Sequence, residues 1–441
     1  MNGKLSFSQL LSLSLMLFAL FFGAGNMIFP PAMGQSAGTN VWSALAGFIT
    51  ADVGLPVLAI AAVVLTGRTM TDLAGKAGKK FAVFFPVLIY IMIGPLFAIP
   101  RTASTSFELA LFPFLGPDSH VKLWSVLFTG LFFLATYFLS ANPKKIVYIV
   151  GKILTPILLL SIFIIGLGAI IHPISPMAAP VDLYLDIPFF KGLTEGYLAM
   201  DALAAGVFAL VVIENVEAMG VQDDKKIVKY TLLAGIGAAI GLAVVYGLLA
   251  YVGATSGALG TFENGGQLLT AVSKHMYGTA GMLVLGVAVL FACLTTAIGL
   301  TSSFGNYFSE TFTKFEYQPT IIAVCLFSFV VSNIGLTQLI SITLPVLLMV
   351  YPVLMALIFT AYLDKWIHGK TKIYAFTLIG AALVSIPSGL EALVANFGGS
   401  LGVVSEILAK IPMYDLGMGW FIPAVIGGII GALLSMGKQK A

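Results

Sequence analysis

Charged side chains are scarce in this sequence. Asp, Glu, Lys and Arg make up 9% of its 441 residues, against about 25% in soluble domains. That scarcity excludes water as the solvent for most of the chain. The two cysteines, Cys293 and Cys325, both fall inside apolar runs, so no disulfide framework is available. The four histidines, His120, His172, His275 and His368, stand singly at run ends or in connections, which argues against a metal centre. The four tryptophans, Trp42, Trp124, Trp366 and Trp420, lie at run ends, where indole rings favour the headgroup level. None is left for an aromatic cage around a quaternary amine. No His-Asp or Ser-Lys grouping supports a membrane enzyme. No polar stretch approaches the roughly 50 residues of a separate soluble domain, so a receptor lacks its signalling part. Polar residues within the apolar runs are scattered rather than periodic, unlike a channel lining.

What is abundant is apolar residue after apolar residue, 59% of the chain. Runs near the roughly 20 residues that a spanning helix needs recur from end to end. Twelve are read, at about 7–35, 41–66, 81–112, 121–140, 146–171, 193–219, 231–253, 281–304, 319–333, 337–361, 373–390 and 416–436. The first exceeds the apolar core of a cleaved signal peptide, about 7–15 residues. With the N-terminus inside, the loops on the inner face carry seventeen basic residues, among them Lys144, Lys145, Lys152, Lys438 and Lys440. The outer loops carry four, Lys122, Lys191, Lys274 and Lys410, and Arg101 falls within the third run. Positive charge collects on the cytoplasmic side, so both termini are expected there.

Two runs are interrupted. "LFALFFGAGNMIFPPAMGQSAG", Leu17 to Gly38, places Gly23, Gly25 and Asn26 near mid-membrane and follows them with Pro30 and Pro31. Glycine disfavours helix by about 1 kcal/mol relative to alanine, and proline removes a backbone donor. Freed peptide groups are tolerated at that depth only where protein or a cavity satisfies them. The sixth run, "LTEGYLAMDALAAGVFALVVIENVEAMG", Leu193 to Gly220, has Asp201 followed by small residues up to Gly206. Five crossings separate the two breaks, so the second unit enters from the opposite face. The arrangement expected is an all-α membrane protein with an inverted repeat of five helices, residues 1–172 and 193–361. Two further helices, 373–436, follow.

Three motifs, "FFGAGNMIFPP" from Phe21, "GPLFAIPRTASTSFE" from Gly94 and "GYLAMDALAA" from Gly196, resemble the bacterial branched-chain amino acid:cation symporter family. That family belongs to the amino acid–polyamine–organocation superfamily, with a leucine-transporter-type fold. The resemblance runs over the whole chain. It implies uptake of leucine, isoleucine or valine across the bacterial cytoplasmic membrane, driven by sodium in most members and by protons in some. Carriers of alanine or proline are the runner-up. Beyond the coupling ion it implies no organic cofactor. The partners implied are the solute and the lipid bilayer, with no nucleic acid and no obligate protein partner.

An amino acid has three demands. Its carboxylate is served by a helix N-terminus, here the amides around Gly23, Ala24, Gly25 and Asn26, with the helix resuming at Met27. Its ammonium needs acceptors, expected from the carbonyls near Ala202 to Ala205, ahead of Gly206. An aliphatic side chain needs an apolar wall, for which Phe208, Ile93 and Phe97 are candidates. By resemblance, sodium is held by Thr295 and Thr296 with the carbonyls of Ala19, Phe22 and Ala292. The competing reading is that each helical threonine bonds back to its own helix, and Thr301, Ser302 and Ser303 are a rival cluster. Ionisable groups inside a membrane mark function by default. Asp201 is placed to coordinate a second sodium with Asn26, hold the ammonium, or titrate. Asp52, in the second run, is a candidate proton carrier. Arg101 either gates the outer path or pairs with Asp52 or Glu108. Glu214 and Glu217 are expected to be solvated or paired with the Lys225–Lys229 segment.

Overall fold

The computed structural model describes residues 4–116, 119–141 and 155–436, and all regular structure among them is helical. Lys144, Lys145, Lys152, Lys438, Lys440 and the start of the fifth apolar run lie outside the described residues. In chain order the helices are α1 Phe7–Phe21, α2 Ala24–Ala37, α3 Val41–Ile49, α4 Leu55–Thr66, α5 Met70–Gly75, α6 Lys79–Ile91 and α7 Ala98–Ala110. Then come α8 Val121–Ser140, α9 Thr155–Ile171, α10 Pro188–Gly196, α11 Asp201–Ala218, α12 Asp224–Ala254 and α13 Gly265–Thr311. The chain ends with α14 Tyr317–Ser332, α15 Leu336–Tyr362, α16 Asp364–Ile367, α17 Thr371–Ala395, α18 Val403–Ala409 and α19 Phe421–Met436.

By length and composition, seven helical stretches among the described residues are able to cross a membrane. An eighth is added if the pair Pro188–Ala199 and Asp201–Ala218, bent by 48°, is one span. Phe7–Phe21, Leu159–Ile171, Tyr317–Ser332 and Phe421–Met436 are shorter apolar helices. The first apolar run falls into this shorter class because the chain itself cuts it. Ser6 starts α1 with a capping box, its hydroxyl accepting the Gln9 N–H at 3.2 Å while Gln9 Oε1 accepts the Ser6 N–H at 2.8 Å. The helix stops at Phe21, because Phe22 has ψ 83° and Gly23 is extended.

Lipid provides no hydrophobic drive between helices, so close packing of small residues holds the bundle. Glycines occur in reciprocal pairs for this purpose. A Cβ on Gly34 of α2 would lie 2.0 Å from the Ala250 carbonyl oxygen of α12, and one on Gly253 of α12 the same distance from the Pro31 oxygen of α2. Gly47 of α3 and Gly192 of α10 face the Phe189 and Ala44 oxygens at 1.8 and 2.0 Å in the same sense. Both pairs clamp one half of an interrupted helix against a neighbour. Gly253→Val therefore drives a side chain into backbone. A loss of about 1–3 kcal/mol or more is expected, read as a lower unfolding temperature of the detergent-purified protein.

Two π-helical turns interrupt other runs, Thr50–Gly54 around Asp52 and Met92–Leu96 around Pro95. Such turns concentrate at functional sites. Gly278, at φ 63°, divides α13 into a short N-terminal arm and a long apolar stretch. Trp42, Trp124 and Trp366 are exposed as expected of headgroup anchors, but Trp420 is only 3% exposed and packs edge-on to Phe421 inside the protein. Arg68 reaches both Glu217 and Asp224 at 2.6 Å. Glu217 is thus held by the planar fork of an arginine rather than by the Lys225–Lys229 segment, while Glu214 is exposed.

Candidate functional site

The two interruptions meet. In the first, α2 resumes at Ala24, earlier than Met27, because Asn26 folds back and its Oδ1 accepts the Gly23 N–H at 3.2 Å. In the second, the break precedes Asp201 instead of following it. Tyr197–Ala199 form a 3-10 turn, Met200 is left-handed at φ 71°, and α11 starts at Asp201. Ala202, Ala205 and Gly206 therefore lie in regular helix, and the carbonyls left over belong to Leu198 and Ala199. The small residues serve packing instead. A Cβ on Gly206 would meet Met70 at 3.0 Å, and Ala202 and Ala205 are fully buried.

Between the breaks lies a buried polar network. Asn26 Nδ2 donates to Asp201 Oδ2 at 2.7 Å, to the Tyr246 hydroxyl, and more distantly to Asp52 Oδ2 at 3.4 Å. The Tyr246 hydroxyl donates to Asp52 Oδ2 at 2.6 Å, while Asp52 Oδ1 has no partner among the described residues. One asparagine thereby caps its own helix and ties it to helices α11 and α12 and the Asp52 turn. Tyr246 was not singled out from sequence. The signal was there, a hydroxyl within the seventh apolar run, where polar groups are costly.

Arg101, buried on α7, forms no ion pair with Asp52 or Glu108. Its Nη1 and Nη2 donate to the Leu198 and Ala199 carbonyls at 2.5 and 3.2 Å, and its guanidinium lies 5.2 Å from the Phe29 ring centroid. The C-terminal end of a helix carries partial negative charge, so the cation goes to the carbonyls where α10 and its 3-10 turn end. Glu108, two turns along, instead accepts from Asn264 and Gln267 at 2.8 and 2.9 Å and anchors the start of α13. Gly25 is what lets Arg101 in, since a Cβ there would sit 2.7 Å from Nη2 and 3.0 Å from Ala199 Cα.

This site belongs to a chain whose residues 6–438 match the family profile described as branched-chain amino acid transport protein. The chain belongs to that family. Among relatives of this transport family member, the branched-chain amino acid permease BraB of Bacillus subtilis is 44% identical over 99% of this chain and 97% of its own length. The branched-chain amino acid permease BrnQ of the same organism is 44% identical over 100% of both chains. These relatives are permeases, not enzymes. The fold is that of Mhp1, a nucleobase-cation-symport-1 family transporter solved closed with bromovinylhydantoin bound, at TM-score 0.64 and 15% identity, covering 98% of this chain and 93% of that one. The chain is thus a multi-pass membrane transporter.

Within this transport protein a narrow cleft runs between the breaks. Gly23, Ala24, Gly25, Asn26, Ile93, Asp201 and Phe208 all line it, together with Arg101 and Thr296. Phe208 meets Phe21 edge-on, with ring centroids 5.4 Å apart. Phe97 is buried but does not line the cleft. It precedes α7 and its carbonyl accepts the Arg101 N–H at 3.1 Å, so Ala98 and Thr102, further along α7, form that wall. Ala204, Ala199 and Met200 take the places expected for Ala202, Ala205 and Gly206. The two threonines part company. Thr295 donates back to the Ala292 carbonyl at 2.7 Å, the self-satisfied helical arrangement. Thr296 Oγ1 is buried without a partner among the described residues, and a Cβ on Gly23 would approach it to 3.0 Å. Ala19, Phe22 and Ala292 are buried but do not line the cleft, and neither do the rivals Thr301, Ser302 and Ser303.

Proposed function

We propose that this protein imports leucine, isoleucine or valine together with sodium by alternating access between the breaks of its first and sixth spans. The observation that carries the reading is the Asn26–Asp201 hydrogen bond, 2.7 Å long, which joins the two interrupted helices inside one cleft. The printed names of the relatives support the substrate class. The amides at the start of α2 and the Arg101 guanidinium suit a carboxylate, Asp201 suits an ammonium, and Phe208 and Ile93 suit a branched chain. Thr296 is the best placed sodium ligand, with the Ala19, Phe22 and Ala292 carbonyls and Thr295 completing the set. Asn26 and Asp201 offer a second ion position. The chain crosses the bacterial cytoplasmic membrane twelve times with both termini inside, as inverted repeats over 1–172 and 193–361 followed by two helices over 373–436.

Sodium joining α1 to α13 at Thr296 stabilises the outward-open form. Its loss to a low-sodium cytoplasm releases the inner path. Leucine uptake into proteoliposomes tests the coupling, and equal uptake with and without a sodium gradient rejects it. Thr296→Ala raises the sodium concentration for half-maximal uptake by about tenfold, because losing one oxygen ligand of the ion at a cost of about 1.4 kcal/mol is a factor of ten in affinity. Thr295→Ala has the smaller effect, because its hydroxyl is already satisfied. A second reading, proton coupling, is favoured by the chain from Asp52 through Tyr246 and Asn26 to Asp201. Accumulation driven by a pH gradient in sodium-free buffer selects it.

A further inference from the structure

A second cavity, of about 430 Å³, lies between α10, α15, α17 and the segment leading into α19. Its volume is in the range of ligand sites, about 300–1,000 Å³. It sits towards the C-terminal end of α17. It shares no lining residue with the central cleft. The 3-10 turn of the sixth span separates the two, Tyr197 lining this cavity and Ala199 the cleft.

Charge of both signs surrounds an apolar floor. Lys191 Nζ pairs with Glu195 at 2.9 Å, and an ammonium group has three N–H donors, so it has donors to spare. Glu391 accepts the Tyr414 hydroxyl at 2.5 Å, and neither Glu391 nor Asp415 has a basic partner within 4 Å among the described residues. Leu344, Leu348 and Val384 form the floor. Trp420 adds an independent observation. It is 3% exposed, it lines this cavity, and its indole N–H finds no acceptor among the described residues. Headgroup anchoring does not account for a tryptophan so placed.

We propose that this cavity binds a second molecule of a neutral aliphatic amino acid. The inference rests on the substrate class proposed above. The ammonium goes to Glu391 and Asp415, the carboxylate to Lys191, and the side chain to the leucine and valine floor. A simple cation meets only the first of these demands, and a fatty acid leaves Glu391 and Asp415 without a cation. A ligand here bears on Tyr197, in the same turn as the two carbonyls that hold Arg101, so its occupancy biases that latch.

Equilibrium binding of labelled leucine to the purified full chain tests the site. Two molecules per chain are expected. One should remain in the double variant Glu391→Gln with Asp415→Asn, whose second site weakens at least tenfold, and one should remain in Asp201→Asn, which lacks the central site. Val384→Trp, which fills the floor without touching a charge, should likewise leave one. One-for-one binding in the unmodified chain, unaffected by the Glu391, Asp415 and Val384 changes, overturns the second site and leaves the proposed function standing. A chain that binds no leucine overturns both.

Discussion

Arg101→Gln lowers the initial rate of leucine uptake by about 100-fold or more. The guanidinium holds two carbonyls at the broken end of the sixth span, Leu198 at 2.5 Å and Ala199 at 3.2 Å. Hydrogen bonds involving a charged group are worth about 1.5–3 kcal/mol each, and each 1.4 kcal/mol is about tenfold. Losing both therefore removes roughly two powers of ten before any contact with a substrate carboxylate is counted. Arg101→Lys keeps the charge as a point and loses the planar fork, so its rate falls between the two. Uptake by reconstituted protein, normalised to the amount inserted, gives the measurement. Unchanged uptake in Arg101→Gln removes Arg101 from the machinery. If the loss is only one of folding, Arg101→Gln and Arg101→Lys fall in proportion to their lowered unfolding temperatures.

Asp201→Asn has a comparable effect for a different reason. The asparagine oxygen still accepts from Asn26 Nδ2, so the link between the breaks survives and one buried charge is removed. Burying a charge is costly unless it is well paired, so the variant folds at least as well as the parent. What it loses is the anion proposed to face an ammonium or a second sodium. Leucine uptake falls by about 100-fold or more, the scale of deleting one partner of a buried charge pair, about 3–5 kcal/mol. Asp52→Asn is the informative control. Asp52 is fully buried and bonded to Tyr246 but does not line the cleft. Under sodium coupling its loss weakens uptake less than that of Asp201. Under proton coupling the two are equally severe, and the pH dependence of uptake disappears with either.

Both broken helices were legible in the sequence, because glycine, asparagine and proline inside an apolar run conflict with what lipid demands of the backbone. The position of the second break was not. Asp201 followed by small residues reads as a weak helix, yet small residues in a membrane helix serve equally to bring backbones together. In this chain they do the latter, and Met200 absorbs the change of direction. A left-handed methionine leaves no compositional trace.

The pairing of charges followed the same rule. Arg101 and Glu108 lie two turns apart on one helix, which suggests partners. The structure gives each a different one, because the carbonyls of a broken helix and the start of α13 outcompete a stretched side-chain pair. Composition and the run of apolar segments alone determined that the chain lives in a bilayer and that two of its helices come apart there, since those depend only on local conflict between residue and solvent. Which carbonyls are freed, that Tyr246 joins Asn26 to Asp52, and that Trp420 turns inward were decided by tertiary structure. Each depends on which face of one helix another presents, and a rotation of a few tens of degrees changes the answer without changing the hydropathy of either.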